Sequence, residues 1–195
     1  MATIHRATLR PSKIELLAPW IAAQPWAPAG QARVLGAYRF DDRDGRVGIE
    51  GHLLDVSGRT LHVVTTYRAA PLEGADAFLI GTTEHSVLGT RWVYDAAGDP
   101  VALREIVTAA LSGASQADLV IVDAEENEIE RREPAVRVQG SGSVDPATVE
   151  AAGFAAEIVH VLDGSAAHDD AVEATLSARW GDFDDAVVIA VVRRA

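Results

Sequence analysis

Six histidines, one lysine and a surplus of carboxylates are the side chains from which this 195-residue sequence would have to build chemistry. His52 and His62 flank Ser57-Gly58, a two-residue turn signal, so strands leaving that turn could set the two imidazoles opposite each other. Two imidazoles on one face are half of a zinc site, but no third ligand is evident, and ordinary half-exposed strand histidines are the simpler reading. His85 and His160 read the same way. Asp41-Asp42-Arg43-Asp44 looks like a fragment of a calcium loop, yet the later bidentate glutamate is missing and a hairpin tip needs polar turn residues in any case. His168-Asp169-Asp170 and Asp182-Phe183-Asp184-Asp185 lie between strand-like runs, where a solvated loop is expected.

The other constellations fail on spacing. Gly140-Ser141-Gly142-Ser143 has the wrong register for a nucleophile elbow, and neither a Walker A loop nor a Gly-x-Gly-x-x-Gly follows a strand. The absence of cysteine excludes disulfides, thiolate metal sites and a cysteine nucleophile. Motif reading therefore assigns no catalytic residue, no metal ligand and no cofactor-binding residue, and no cofactor is expected.

The elements that would position any site follow from periodicity. Ser12 with Glu15 three residues on is a capping box, and Ile14, Leu17, Ala18 and Ile21 share a helical face. Pro19 predicts a break or kink there, with Trp20 and Trp26 packed beneath. From Arg33 the period becomes two: Arg33 to Phe40, a turn at Asp44-Gly45, Arg46 to Val56, the Ser57-Gly58 turn, Thr60 to Arg68, and Glu84 to Tyr94 as a fourth strand of an antiparallel meander. Asp99-Pro100 opens a helix with the stripe Leu103, Ile106, Val107, Ala110 and Leu111, and Gly113 ends it.

Beyond lie a strand at Leu119 to Val122, a charged run from Glu125 to Glu133 read as a solvated turn or helix, and a strand at Val136 to Val138. Gly140 to Ser143 reads as a linker and Asp145-Pro146 as a short helix start. Strand-like runs at Ala156 to Leu162, Val172 to Trp180 and Ala186 to Val192 suggest a terminal meander. The fold class expected is α+β, with residues 1–113 as one unit and 114–195 as an acidic β-rich region, separate or packed into the same domain.

Charge narrows the partners. The formal net charge is −12, and residues 113–195 hold 17 acidic against 6 basic side chains. Such a surface repels phosphate backbones and anionic lipid, so neither nucleic acid nor membrane is an expected partner. No run of about 18 apolar residues occurs, and the N-terminal stretch lacks the apolar core of a signal peptide, so a cytoplasmic location is expected. Abundant alanine and the scarcity of lysine look like the codon bias of a GC-rich genome.

One part of the chain resembles a known family. It comprises Leu16 to Ile21 and Gln24-Pro25-Trp26, then Thr66 to Leu72, then the string Leu79 to Ala96 followed by Asp99-Pro100. Across roughly residues 12–112 this is similar to the N-terminal cap of actinobacterial maltokinases, and more closely to stand-alone cap-like proteins. The resemblance implies a cystatin-like unit, a curved antiparallel sheet with helices, which in the family is joined to a kinase core that phosphorylates maltose or, in relatives, amino sugars. That core's lysine, its His-Gly-Asp loop with a following asparagine and its later metal-binding aspartate are all missing here. Trp180-Gly181-Asp182-Phe183-Asp184 echoes the loop without its histidine, and the single lysine, Lys13, precedes the first helix. Phosphoryl transfer needs phosphates, metal and acceptor positioned together, so kinase activity in this chain is rejected.

Within the matched string, His85, Arg91, Trp92 and Tyr94 are the candidate interface or sugar-contact residues, because aromatic and cationic side chains dominate interfaces and sugar stacking. Alternation puts Trp92 and Tyr94 on one face of the strand and His85 and Arg91 on the other. The resemblance implies a non-catalytic interaction or regulatory module of α-glucan, trehalose or amino-sugar metabolism, partnered by a sugar kinase or a glucan-metabolising enzyme. The alternative is a small sugar-binding protein or enzyme of the same pathway using the C-terminal carboxylates. A homodimer through an exposed strand edge is a further partner option.

Overall fold

The computed structural model describes residues 2–5, 7–122, 127–163, 171–181 and 185–195, which form an α+β fold of three sheets and two α-helices. In chain order the elements are β1 (Ala2–His5), β2 (Leu9–Arg10), α1 (Lys13–Ala22), β3 (Ala32–Asp41), β4 (Gly48–Val56), β5 (Arg59–Arg68), β6 (Leu79–His85), β7 (Gly89–Asp95) and α2 (Pro100–Ser112). There follow β8 (Leu119–Val122), β9 (Glu128–Arg132), β10 (Val136–Gly140), β11 (Phe154–Ile158), β12 (Val172–Trp180) and β13 (Val187–Arg194). The sheets run β2-β6-β7-β5-β4-β3, β10-β12-β13-β11 and β1-β8-β9, all antiparallel except the β1–β8 pair.

The Glu15 carboxylate accepts the Ser12 N–H and hydroxyl, each at 2.7 Å, and starts α1. The helix runs through Pro19 without the expected break. Leu17 and Ile21 lock it down by packing on Leu54, Val56, Leu61 and Val63 of the large sheet, while Pro19 sits on the exposed side. Trp20 and Trp26 pack there edge to face, at 6.1 Å between centroids.

Turn chemistry fixes the register of the large sheet. Ser57 and Gly58 both take positive φ, 52° and 82°, as a two-residue hairpin turn demands, and the Ser57 hydroxyl donates to the Ala29 carbonyl at 2.7 Å. The Asp42 carboxylate accepts backbone N–H groups of Asp44, Arg46 and Val47, so the acidic tip between β3 and β4 is an organised turn. Glu84 to Tyr94 is not one strand. The chain reverses over Ser86 to Leu88 and Gly89 (φ 73°), making a β6–β7 hairpin.

Asp99 caps α2 by accepting the Val101 N–H at 3.0 Å, Pro100 occupies the first turn, and Gly113 (φ 70°) closes it. The helix lies between the large and four-stranded sheets. One core cluster joins Tyr38, Phe40, Ile49, Leu53 and Val64 of the first to Ile106, Val107 and Ala110 of α2 and to Val136, Val138, Leu176, Ile189 and Val192 of the second.

Three expectations for the C-terminal part are corrected. The charged run is not helical: Glu128–Arg132 is an exposed edge strand paired with buried β8, while residues 123–126 lie outside the described set. Gly140 to Ser143 is not a linker, because Gly142 N–H donates to Ala110 O and Val144 N–H to Leu111 O, both at 2.9 Å, which satisfies the last carbonyls of α2. A Cβ on Gly142 would fall 2.0 Å from Leu111 O. Finally, β11 pairs with β13 rather than β12, so the last strands do not form a simple meander. Asp145 does open a short turn of helix, Pro146–Thr148.

Candidate functional site

The β6–β7 hairpin spreads the four sequence-nominated residues instead of gathering them. Thr83 pairs with Arg91 and Thr82 with Trp92, so His85 and Arg91 lie on one face of the hairpin and Trp92 and Tyr94 on the other. His85 Nδ1 accepts the N–H groups of Val87 and Leu88, at 3.2 and 3.1 Å, which makes this imidazole part of the turn. Tyr94 is 1% exposed and its hydroxyl accepts the Leu72 N–H at 2.9 Å, so it belongs to the core and not to an exposed patch. The reason is position: it pairs with Thr66 of β5, an interior strand of the sheet. Arg91 and Trp92 are half-buried.

The two sheet histidines are also separated. His52 pairs with Val63 and His62 with Leu53, so a one-residue offset sends the imidazoles to opposite faces. Among the described residues no three His, Asp or Glu side chains gather as a metal-binding group. The clusters His168-Asp169-Asp170 and Asp182-Phe183-Asp184 lie outside the described residues.

What the sheet builds is a buried polar interior. On the α1 side, Lys13 Nζ reaches from the first turn of α1 to both Glu50 carboxylate oxygens at 2.6 Å, and Arg39 Nη2 donates to Oε2 at 3.2 Å. His52 Nε2 donates to Thr65 Oγ1 at 3.0 Å, since that hydroxyl donates onward to the Glu50 carbonyl. Burial pushes the Glu50 carboxyl up, but the charges of His52, Arg39 and Lys13 outweigh it and hold it at about 2. Burial drives His52 down to about 4, so near neutrality the imidazole is uncharged and Lys13 and Arg39 keep Glu50 ionised.

On the opposite face, His62 Nδ1 lies 3.1 Å from Val159 O and Nε2 lies 2.8 Å from the Tyr38 hydroxyl. A carbonyl only accepts, so Nδ1 carries the proton and Nε2 takes the Tyr38 O–H. Burial lowers His62 to about 3 and raises the Tyr38 phenol. The chain after β11 is stitched to β5 at the same place, with His62 N–H to His160 O and Leu162 N–H to Thr60 O, both at 2.9 Å. Trp26 stacks on His160 at 4.4 Å.

A third anchor is Arg68, whose Nε and Nη2 grip the two Asp99 oxygens at 2.6 Å each, tying β5 to the cap of α2. Sequence reading missed Lys13, Glu50, Arg39 and Arg68 as a set. The available signal was an ionisable residue, Glu50, in a strand otherwise read as core, together with the single lysine of the chain.

These side chains spend their hydrogen bonds on each other, and what they define is a sheet-and-helix unit held by internal ion pairs. Residues 20–99 match the family model of the maltokinase N-terminal cap domain. This likeness covers the last residues of α1, strands β3 to β7 of the large sheet and the Asp99 cap of α2, and leaves residues 1–19 and 100–195 unmatched. No curated protein matches the chain.

Proposed function

We propose that this protein is a non-catalytic, cap-like interaction or regulatory module of α-glucan, trehalose or amino-sugar metabolism, acting in the cytoplasm on a sugar kinase or glucan-metabolising enzyme. The cap match over residues 20–99 carries the reading. The large antiparallel sheet with α1 packed on it supports the reading, being the arrangement that a cystatin-like cap would have. Its buried ionisable groups support the reading, because Glu50, Asp99 and His62 are each committed to holding strands and helices together. No helix among the described residues is long and apolar enough to cross a membrane.

The test is affinity capture of the tagged chain from its native lysate at moderate salt, followed by mass spectrometry. Specific co-purification of a sugar kinase or glucan enzyme, lost on competition with untagged protein, is the expected result. A bait that returns alone would remove the basis for a module.

A further inference from the structure

Strand β5 is paired unequally on its two edges. On one edge β4 accompanies it from Arg59 to Tyr67, whereas on the other β7 reaches only Thr65 to Arg68. The rest of that second edge is covered by residues 159–163, which leave β11 and cross from the four-stranded sheet to the large one. Val159 N–H still donates to Ile189 O of β13, at 2.9 Å. The next residues belong to β5: His62 N–H donates to His160 O, Leu162 N–H to Thr60 O, and Leu61 faces Val161 in an isolated antiparallel bridge. An ion pair between Arg59 and Asp163, at 3.8 Å and half-exposed on both sides, adds little. None of residues 159–163 is fully buried. A segment with so few ladder bonds and so little buried surface belongs to the low-stability end of a fold.

The ring of His62 lies beneath this strap and is 1% exposed. Its Nδ1–H donates to the strap's Val159 O at 3.1 Å, and its Nε2 accepts the Tyr38 O–H at 2.8 Å. A second proton at Nε2 would displace the Tyr38 donor and leave a charge in a dry interior. The surroundings give that charge no relief. The strap brings His160, whose Nδ1 is 3.1 Å from His62 O, and β4 brings His52; both make a further proton harder to hold. From β3 comes the Tyr38 phenol, kept protonated by burial, and from β13 the Ile189 carbonyl; none of these groups is a carboxylate. Burial accordingly lowers His62 from 6.5 to about 3. Lifting the strap removes Val159 O and admits water, which returns the ring to its ordinary range.

We propose that residues 159–163 are a proton-released strap, which lifts from β5 when His62 takes up a proton and uncovers the Thr60–His62 edge of the large sheet. The open form binds one proton more than the closed form in the ordinary histidine range, so falling pH favours opening. The gain is tenfold per pH unit below that range, which amounts to about 25-fold between about pH 7 and about pH 5. The uncovered edge is a row of free N–H and C=O groups. The proposal does not rest on the cap reading above.

The test is native-state hydrogen exchange of the full chain by NMR from about pH 7 to about pH 5, read as protection factors. The His62 and Leu162 amides, which donate across the strap, should be less protected than the amides of β4 at every pH. Their protection should fall about 25-fold over the interval, the effect of one histidine. Amides of β4 exchange only by global unfolding, which frees His52 as well, so theirs should fall about 600-fold. In His62→Gln the amide can still donate to Val159 O and accept from Tyr38, but it does not titrate, so strap protection should lose its pH dependence. Strap amides as protected as those of β4 overturn the proposal, because the strap then opens only with the whole fold. Protection that stays constant with pH in the wild type, or keeps its slope in His62→Gln, overturns it too. The wild-type slopes decide on their own where the variant folds poorly.

Discussion

Acid should destabilise this protein well before its exposed carboxylates titrate, because two histidines are buried uncharged in the large sheet. His52 and His62 fall from 6.5 to about 4 and about 3 in the folded chain. The unfolded chain takes up both protons as pH drops through its ordinary histidine range, whereas the folded chain refuses them until about pH 4 and below. Their contribution is therefore complete above that ordinary range and is lost as pH falls. Each such proton is worth about 1.4 kcal/mol per pH unit, so two of them remove about 4 kcal/mol by roughly pH 5. That is most of the stability of a marginal domain, which is about 5–15 kcal/mol.

Glu50 adds a second stage of the same sign, since its pKa is depressed from 4.5 to about 2 and its contribution disappears between those values. Asp95, raised first by burial, opposes this with a single carboxyl. The assay is urea unfolding followed by tryptophan fluorescence from about pH 8 to about pH 5, with m-values checked for constancy. A total change below about 1 kcal/mol over that interval would refute the neutral, buried assignment of both rings. His62→Gln should remove about half of the slope, which identifies the group responsible.

Three substitutions probe the anchors. Asp99→Ala strips the α2 cap and strands Arg68 without its partner, so a loss of about 4 kcal/mol is expected by chemical denaturation. Lys13→Met leaves buried Glu50 with Arg39 alone and should cost about 3 kcal/mol, most of it regained on lowering Glu50's charge in a Lys13→Met, Glu50→Gln double variant. Gly142→Ala forces a methyl toward Leu111 O and should cost about 1–3 kcal/mol in thermal unfolding; no change would mean the segment is as loose as its composition suggests.

Much of the fold was legible because local rules were obeyed. The capping box at Ser12 and Glu15, the Ser57-Gly58 turn and the Asp99-Pro100 start each specify geometry within a few residues, and each forms as read. The misreadings share a cause, which is that a distant neighbour overrode local composition. Gly140 to Ser143 has the composition of a flexible link but supplies the N–H groups that close α2. Pro19 should end a short helix in isolation, yet Leu17 and Ile21 on either side of it are buried against the sheet. At the site level, Tyr94 was nominated for its residue type, while burial is set by strand order, which one sequence does not reveal.

The same point bears on how the two halves relate. The cap match ends at residue 99, yet the groups that hold the large sheet do not respect that limit. Asp99 is gripped by Arg68 from within the sheet and begins the helix on which the second sheet packs. His62 donates its Nδ1 proton to Val159, and Trp26 stacks on His160. A truncation after Gly113 would therefore expose Leu53, Val64 and the inner face of α2, and leave the His62 ring without its acceptor. Such a fragment should fold only marginally, with lost protection of β5 amides in hydrogen exchange. A fragment that unfolds with the same urea midpoint as the full chain would show instead that the cap-like sheet stands alone and that the C-terminal region adds its strap without adding stability.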